Sequence, residues 1–317
     1  MLEAPSKSNA LVVGGGTMGA DVALVLARAG CKTNVMESAS ARRQLLPDYF
    51  AHGMTDLGYA NRLDKLSVCA SLDEVTWNDI DLVIECIPER LDIKQALFAQ
   101  LVRRARPDAL LTSNSSSFPI SAIAAHLDTA DRMLGLHFFM PAHLVPLVEV
   151  IIGAASNAAH AATLAAFMRA CGMVPVIVKK DLPGFLANRL QHALAREAFA
   201  MIDDGVATPE DVDNAVRFGF GFRFLAAGPV LQRDHAGVEV HTAAAATMYP
   251  SLSAATVPAR VLRDKVAAGK LGMKTGEGFF RWTQASAAAE RKRYDDLLRE
   301  GLKLIAAELP QIQPDDN

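Results

Sequence analysis

Apolar positions fall into short runs separated by helical spacings through the first half of the chain. The runs Asn9–Val13, Lys32–Met36, Asp81–Cys86 and Ala109–Ser113 predict strands. Between the first two, Thr17–Ala29 carries apolar residues at Met18, Val22, Leu24, Val25 and Leu26, one side of a helix. Ser38–Leu63 reads as a polar, mostly helical excursion, and Arg90–Arg104 as a charged amphipathic helix. Leu134–Phe139 and Leu147–Ile152 predict two further strands, Asn157–Cys171 an alanine-rich helix, and Val174–Val178 a last strand. Strands alternating with helices predict an α/β unit of seven or eight strands, a parallel sheet covered on both faces.

Beyond Lys180 the pattern turns helical almost throughout. Pro183–Met201 predicts one long helix. Thr208-Pro209-Glu210-Asp211 starts another, with a good N-cap, a proline suited to the first turn and acids at the positive helix end. Ala287–Leu309 predicts a strongly charged last helix, and the stretch after Pro310 is expected to be disordered. The break near Lys180–Pro183 divides the chain into a sheet domain, 1–182, and a helical domain, 183–317.

Composition narrows the function classes. Hydrophobic residues make up 51% of the chain, enough for a real core, and the formal net charge of −3 gives no general attraction to nucleic acid or anionic membranes. No apolar run is long enough for a membrane span, and the first ten residues lack an apolar signal core. The four cysteines form no C-x-x-C pair and have no histidine at ligand spacing, so no metal is expected. Reduced thiols point to a cytoplasmic protein.

Gly14-Gly15-Gly16-Thr17-Met18-Gly19 follows a strand and opens a helix. Gly14 permits the tight turn, Gly16 lets the backbone approach a pyrophosphate, and Gly19 allows close helix–strand packing. The free N–H groups of the helix start, from Thr17 and Met18 onward, face the phosphates. Glu37 follows Gly19 by 18 residues. An acid there binds ribose hydroxyls and repels a 2′-phosphate, which favours NAD over NADP. Arg42 and Arg43 are either a solvated helix face or a phosphate contact.

A second group of residues carries candidate chemistry. The strand Ala109–Ser113 runs into Asn114-Ser115-Ser116-Ser117, where an amide and hydroxyls can hold a nicotinamide and a substrate hydroxyl. His137 ends one apolar strand, and Glu149 lies inside the next, where an unpaired charge is costly. Paired, the carboxylate fixes the imidazole tautomer, and the imidazole takes an alcohol proton as hydride leaves.

The order of these motifs resembles the L-3-hydroxyacyl-CoA dehydrogenases. It comprises G-x-G-x-x-G, Glu85-Cys86-Ile87-Pro88-Glu89, Ser-Asn-Ser-Ser, His-Phe-Phe-x-Pro, Leu-Val-Glu-Val, Pro-Gly-Phe-x-x-Asn-Arg and Lys-Thr-Gly-Glu-Gly-Phe, from about Asn9 to Trp282. The resemblance implies a Rossmann-like domain followed by an all-α domain that carries a homodimer interface. It implies NAD as cofactor, His137 as general base and Glu149 as its partner. It further implies Ser116 on the substrate 3-oxygen, Asn188 on the substrate side, and Glu89 and Lys94 on the cofactor side, where the loop reading above also puts Asn114.

Two departures bear on the substrate. Met140 stands where the family usually has Asn, and His143 either compensates for that amide or is a surface-loop histidine. Pro146-Leu147-Val148-Glu149 and Gly221-Phe222-Arg223-Phe224 resemble the carnitine and gulonate 3-dehydrogenases, whereas Leu271–Phe280 resembles the acyl-CoA branch; Arg223 is either a clamp for a free carboxylate or a surface residue near a glycine-rich turn. The expected reaction is reversible oxidation of a 3-hydroxyacyl-CoA. The alternatives are a dehydrogenase of a free 3-hydroxy acid and a non-catalytic NAD-binding relative.

Overall fold

Eight strands form one sheet: β1 (Asn9–Val13), β2 (Lys32–Met36), β3 (Leu66–Cys69), β4 (Leu82–Glu85), β5 (Leu110–Ser113), β6 (Met133–Phe138), β7 (Leu147–Ile151) and β8 (Val174–Val178). The spatial order in this computed structural model is β3-β2-β1-β4-β5-β6-β7-β8. The structure describes residues 2–313. Order reverses between β1 and β4, so the crevice for a ligand lies at their carboxyl ends.

Alternation along the strands sends side chains to two separate cores. Ala10, Val12, Leu82, Ile84, Leu134 and Leu136 pack on one face with helix α1 (Thr17–Arg28), α2 (Leu46–Asp56) and residues 161–168. Leu11, Val13, Val83, Leu111 and Met133 pack on the other with Leu97, Phe98 and Leu101 of α3 (Leu91–Arg104). Both faces are therefore covered, as the near-continuous apolar strands require.

The sheet departs from the sequence expectation in two places. Strand β3 is an addition: Leu-Ser-Val-Cys is short, sits at the sheet edge and is mostly half-buried, so its hydrophobic signal is weak. Strand β7 runs antiparallel to β6. Only residues 139–146 join them, too few for the crossover that a parallel neighbour needs. Helix α4 (Ala158–Ala170), capped by the Asn157 side chain, then returns the chain to β8, parallel to β7.

The chain divides into two compact units, Met1–Asn188 with Ala306–Asn317, and Arg189–Ile305. Helix α5 (Ala187–Asp203) starts after Gly184 (φ 76°) and Phe185 (φ 51°) have turned the backbone through left-handed conformations that no helix contains. In the second unit follow α6 (Pro209–Asn214), held by a Thr208/Asp211 capping box, α7 (Val238–Met248), α8 (Arg260–Ala267) and α9 (Gln284–Leu304). Among the described residues of this unit only Gly278 and Ala287 are buried. The stretch after Pro310 is not all loose, because Ile312 packs against the first core beside Gly172. Residues 314–317 of that predicted tail lie outside the described residues. No described helix is long and apolar enough to cross a membrane.

Candidate active site

The turn after β1 is built for close approach. Gly14 adopts φ 105°, and a Cβ there would lie 2.8 Å from the Cys86 carbonyl oxygen. A Cβ on Gly19 would lie 1.8 Å from the Gly14 oxygen. The fold itself thus excludes any side chain at both positions. Gly16 differs: its Cβ would meet only the Arg42 guanidinium, at 3.3 Å. Its bareness leaves space on the outer side of the loop, where the unbonded N–H groups of Thr17, Met18 and Gly19 begin α1.

Glu37 follows β2 and is buried. Its Oε2 accepts from Gly15 N (3.0 Å) and its Oε1 from Ala39 N (2.8 Å). Each oxygen keeps a further lone pair for a ribose hydroxyl. The basic pair separates. Arg43 Nη1 donates to the Glu37 carbonyl (2.8 Å) and is structural, whereas Arg42 stands over the glycine loop. A bare cradle, free helix N–H groups and a fixed acid together fit a dinucleotide.

The serine run is tied down by one carboxylate. Glu89 Oε1 accepts from Ser115 Oγ (2.6 Å), Ser116 N (3.1 Å), Ser117 N (2.9 Å) and Ser117 Oγ (2.7 Å). Burial pushes its carboxyl up, but the bonds from Ser115 and Ser117 and the Lys94 charge outweigh this and hold it at about 2. Lys94, 1% exposed, donates to Glu85 Oε1 (2.7 Å) and the Ile87 carbonyl (3.2 Å) and pairs with Glu89 Oε2 (3.2 Å). All three ammonium protons are used by protein. Asn114 Oδ1 accepts from Phe138 N (2.8 Å), which binds the loop to β6. Among the described contacts, Ser116 is the one hydroxyl of the run with no protein partner.

His137 and Glu149 stand directly opposite each other on β6 and β7. His137 Nδ1–H donates to Glu149 Oε2 (2.8 Å), which leaves the Nε2 lone pair outward. Glu149 Oε1 accepts from Leu186 N (3.0 Å) and Ala187 N (2.8 Å), the first donors of α5. Burial pushes the Glu149 carboxyl up. The His137 hydrogen bond and the two backbone donors outweigh it, so the group lies below the usual carboxylate range. The imidazole is flanked by the rings of Phe139 (4.6 Å between centroids) and Phe185 (5.5 Å). Asn188 follows in the first turn of α5, half-buried.

The remaining candidates lie elsewhere. Met140 is 63% exposed on the loop after His137, at a cis peptide to Pro141. His143 turns to α1, its Nδ1 3.1 Å from Asp21 Oδ1, although the angle is too poor for a full hydrogen bond. The same aspartate accepts from Ala142 N (3.1 Å) and Tyr49 Oη, so it anchors the loop. Arg223 belongs to the second unit, exposed in the short turn Phe222–Leu225. Sequence reasoning gave no role to Asp21, or to Glu85 beyond quoting it within a motif. Both had a signal, a lone acid inside an apolar run, and each is buried with partners.

The 3-hydroxyacyl-CoA dehydrogenase NAD-binding domain matches residues 9–182, and the C-terminal domain of the same family matches 184–282. The chain is 32% identical over 286 residues to the 5-formyl-3-hydroxy-2-methylpyridine 4-carboxylate 5-dehydrogenase of Mesorhizobium japonicum, covering 89% of this chain and 93% of that one. It is 34% identical over 280 residues to the 3-hydroxybutyryl-CoA dehydrogenase of Mycobacterium tuberculosis, covering 85% and 96%. A 174-residue stretch is 40% identical to the L-carnitine dehydrogenase of Pseudomonas aeruginosa, covering 55% and 54%. Among solved structures, a 5-formyl-3-hydroxy-2-methylpyridine 4-carboxylic acid 5-dehydrogenase superposes with a TM-score of 0.89 at 30% identity, covering 94% and 98%. The (S)-3-hydroxybutyryl-CoA dehydrogenase of Ralstonia eutropha superposes with a TM-score of 0.70 at 29% identity, covering 87% and 99%.

Proposed function

The chain belongs to the 3-hydroxyacyl-CoA dehydrogenase family, an NAD-dependent oxidoreductase family, and from that premise we propose that it oxidises the 3-hydroxyl of a 3-hydroxyacyl-CoA. The observation that carries the reading is the register pair His137–Glu149, with the carboxylate held on its other oxygen by two backbone N–H groups.

His137 takes the hydroxyl proton at Nε2, because Nδ1–H is committed to Glu149. The imidazolium that forms is stabilised by the adjacent carboxylate. Ser116 donates its uncommitted hydroxyl to the substrate oxygen, and Asn188 supports the same atom. Phe139 and Phe185 keep water from the imidazole. The glycine loop, α1 and Glu37 hold the cofactor, with Glu89, Lys94 and Asn114 shaping its other end. NAD, when bound, supplies the ring that accepts hydride. In the reverse direction, protonated His137 returns the proton.

A second reading is a free carboxylate substrate. It is favoured by the higher TM-score with the pyridine-carboxylate enzyme, by the stretch shared with the carnitine enzyme, and by Met140 in place of an amide. Under it Arg223 clamps the carboxylate. The buried dyad argues against a non-catalytic NAD-binding protein, since a charge at 0% exposure is costly to keep without a use. The exposed apolar side chains of the helical unit, Phe218, Phe222 and Val230 among them, support a homodimer, and four free thiols support a cytoplasmic setting.

The test is NADH oxidation with acetoacetyl-CoA, free acetoacetate and dehydrocarnitine as competing substrates. Turnover of the thioester, lost in His137→Ala, is expected. Turnover of the free acids alone moves the protein to the second reading. NADH binding without turnover of any of them overturns the 3-hydroxyacyl assignment.

A further inference from the structure

We infer that Glu85, Lys94 and Glu89 form a positioning unit whose task is to present Ser116 to the reacting oxygen. This rests on the reading of Ser116 given above, and it gives Lys94 and Glu89 a task on the loop in addition to their place on the cofactor side.

The geometry begins in the sheet. Glu85, Ser113 and Gly135 are aligned across β4, β5 and β6, and His137 lies two residues farther along β6 on the same face. This is also the face covered by α3, whose Lys94 reaches down to Glu85. A lone carboxylate at 0% exposure would be unstable there, and so would a lone ammonium. Each is the other's partner, and further donors complete the set. Glu85 Oε1 also accepts from Ile87 N (2.7 Å), and Oε2 accepts from Ser113 Oγ (2.5 Å).

From this buried base, two arms reach the loop. Ser113 Oγ accepts from Ser115 N (3.1 Å). Lys94 holds Glu89 Oε2, and Glu89 Oε1 gathers both amides and two hydroxyls of Ser115–Ser117. Ser115 Oγ then accepts from Phe118 N (2.9 Å) and closes the turn. Three serine hydroxyls, Ser113, Ser115 and Ser117, are spent on this scaffold. The fourth, Ser116, is fixed through its own amide while its hydroxyl stays uncommitted. A loop held this way supplies a donor at a set position without reorganisation during reaction.

Glu89 is partly exposed, so its variants are expected to fold. Two readouts test the unit, and the first needs no substrate. In Glu89→Ala, amide exchange at Ser116 and Ser117 should rise about tenfold or more while amides of β6 are unchanged. Glu89→Gln, which keeps an oxygen but loses the ion pair to Lys94, should fall between. The second readout is a double-mutant cycle on kcat with Ser116→Ala, alongside NADH affinity by fluorescence. Glu89→Ala should lower kcat about tenfold in the native background and under about twofold when Ser116 is already alanine. Each kcat is read at saturating NADH, so a change in cofactor affinity does not enter the cycle.

Unchanged exchange overturns the unit outright. Additive losses in kcat, or a loss confined to NADH affinity, limit Glu89 to the cofactor side and also overturn it. A Ser116→Ala protein as active as the native one overturns both this inference and the role of Ser116 in the reaction. The exchange result then still shows whether Glu89 orders the loop.

Discussion

At the scale of single residues, Glu149 does two jobs with its two oxygens. One fixes the imidazole, and the other caps the start of α5. Glu149→Gln retains the shape but reverses part of the hydrogen bonding. It is predicted to lower kcat by about 10²- to 10⁴-fold with little change in NADH affinity, checked by steady-state kinetics and fluorescence titration. The pH dependence follows from the lowered carboxyl. Because the folded value lies below the unfolded one, the stabilisation is complete above the ordinary carboxylate value of about 4.3 and is lost as pH falls through the folded value. Thermal melts from pH 7 down to 3 should show this acid limb, and Glu149→Gln should flatten it. Phe185 is the strained neighbour, at φ 51° with its ring against His137. Phe185→Gly should relieve backbone strain of about 1 kcal/mol and still lose activity, because the imidazole loses a wall. A Phe185→Gly protein with native kcat would remove that ring from the site.

At the scale of elements, the glycine turn is the most constrained piece of the fold. Gly19→Ala places a methyl 1.8 Å from the Gly14 oxygen. The expected result is a marked fall in Tm together with loss of NADH binding, since turn and helix must separate. By contrast, Thr208→Ala removes one exposed cap of α6 and should cost only about 1 kcal/mol with kcat intact, measurable by denaturant melts.

The same elements show what was legible in the sequence. β1, β2 and β8 are readable to the residue because their apolar runs are bounded by glycine or polar turns. β3 was hidden by its edge position. The direction of β7 was hidden because hydrophobicity is the same whichever way a strand runs; only the short link after His137 carries that information. Pairing of His137 with Glu149 was readable, since two costly groups on neighbouring apolar strands explain each other. The division of labour within the serine run was not, because four adjacent polar residues look alike until Glu89 is seen to hold their backbone and leave Ser116 free.

At the scale of the whole molecule, the two units are unequal in how they are stabilised. The sheet unit has two apolar cores. The helical unit buries only Gly278 and Ala287 among its described residues and exposes Phe218 at 70%, Tyr249 at 69% and Val230 at 79%. Helices of this kind are stable when a partner covers them. Sedimentation equilibrium should give twice the chain mass, and Phe218→Asp should shift it toward the monomer. A native protein that stays monomeric at micromolar concentration contradicts the homodimer.

The most direct test of the central claim is kcat for His137→Gln beside NADH affinity on the same preparation. A fall of about 10²- to 10⁴-fold with unchanged NADH affinity is the expected result. Turnover at the native rate would contradict the assignment of His137 as the group that moves the proton.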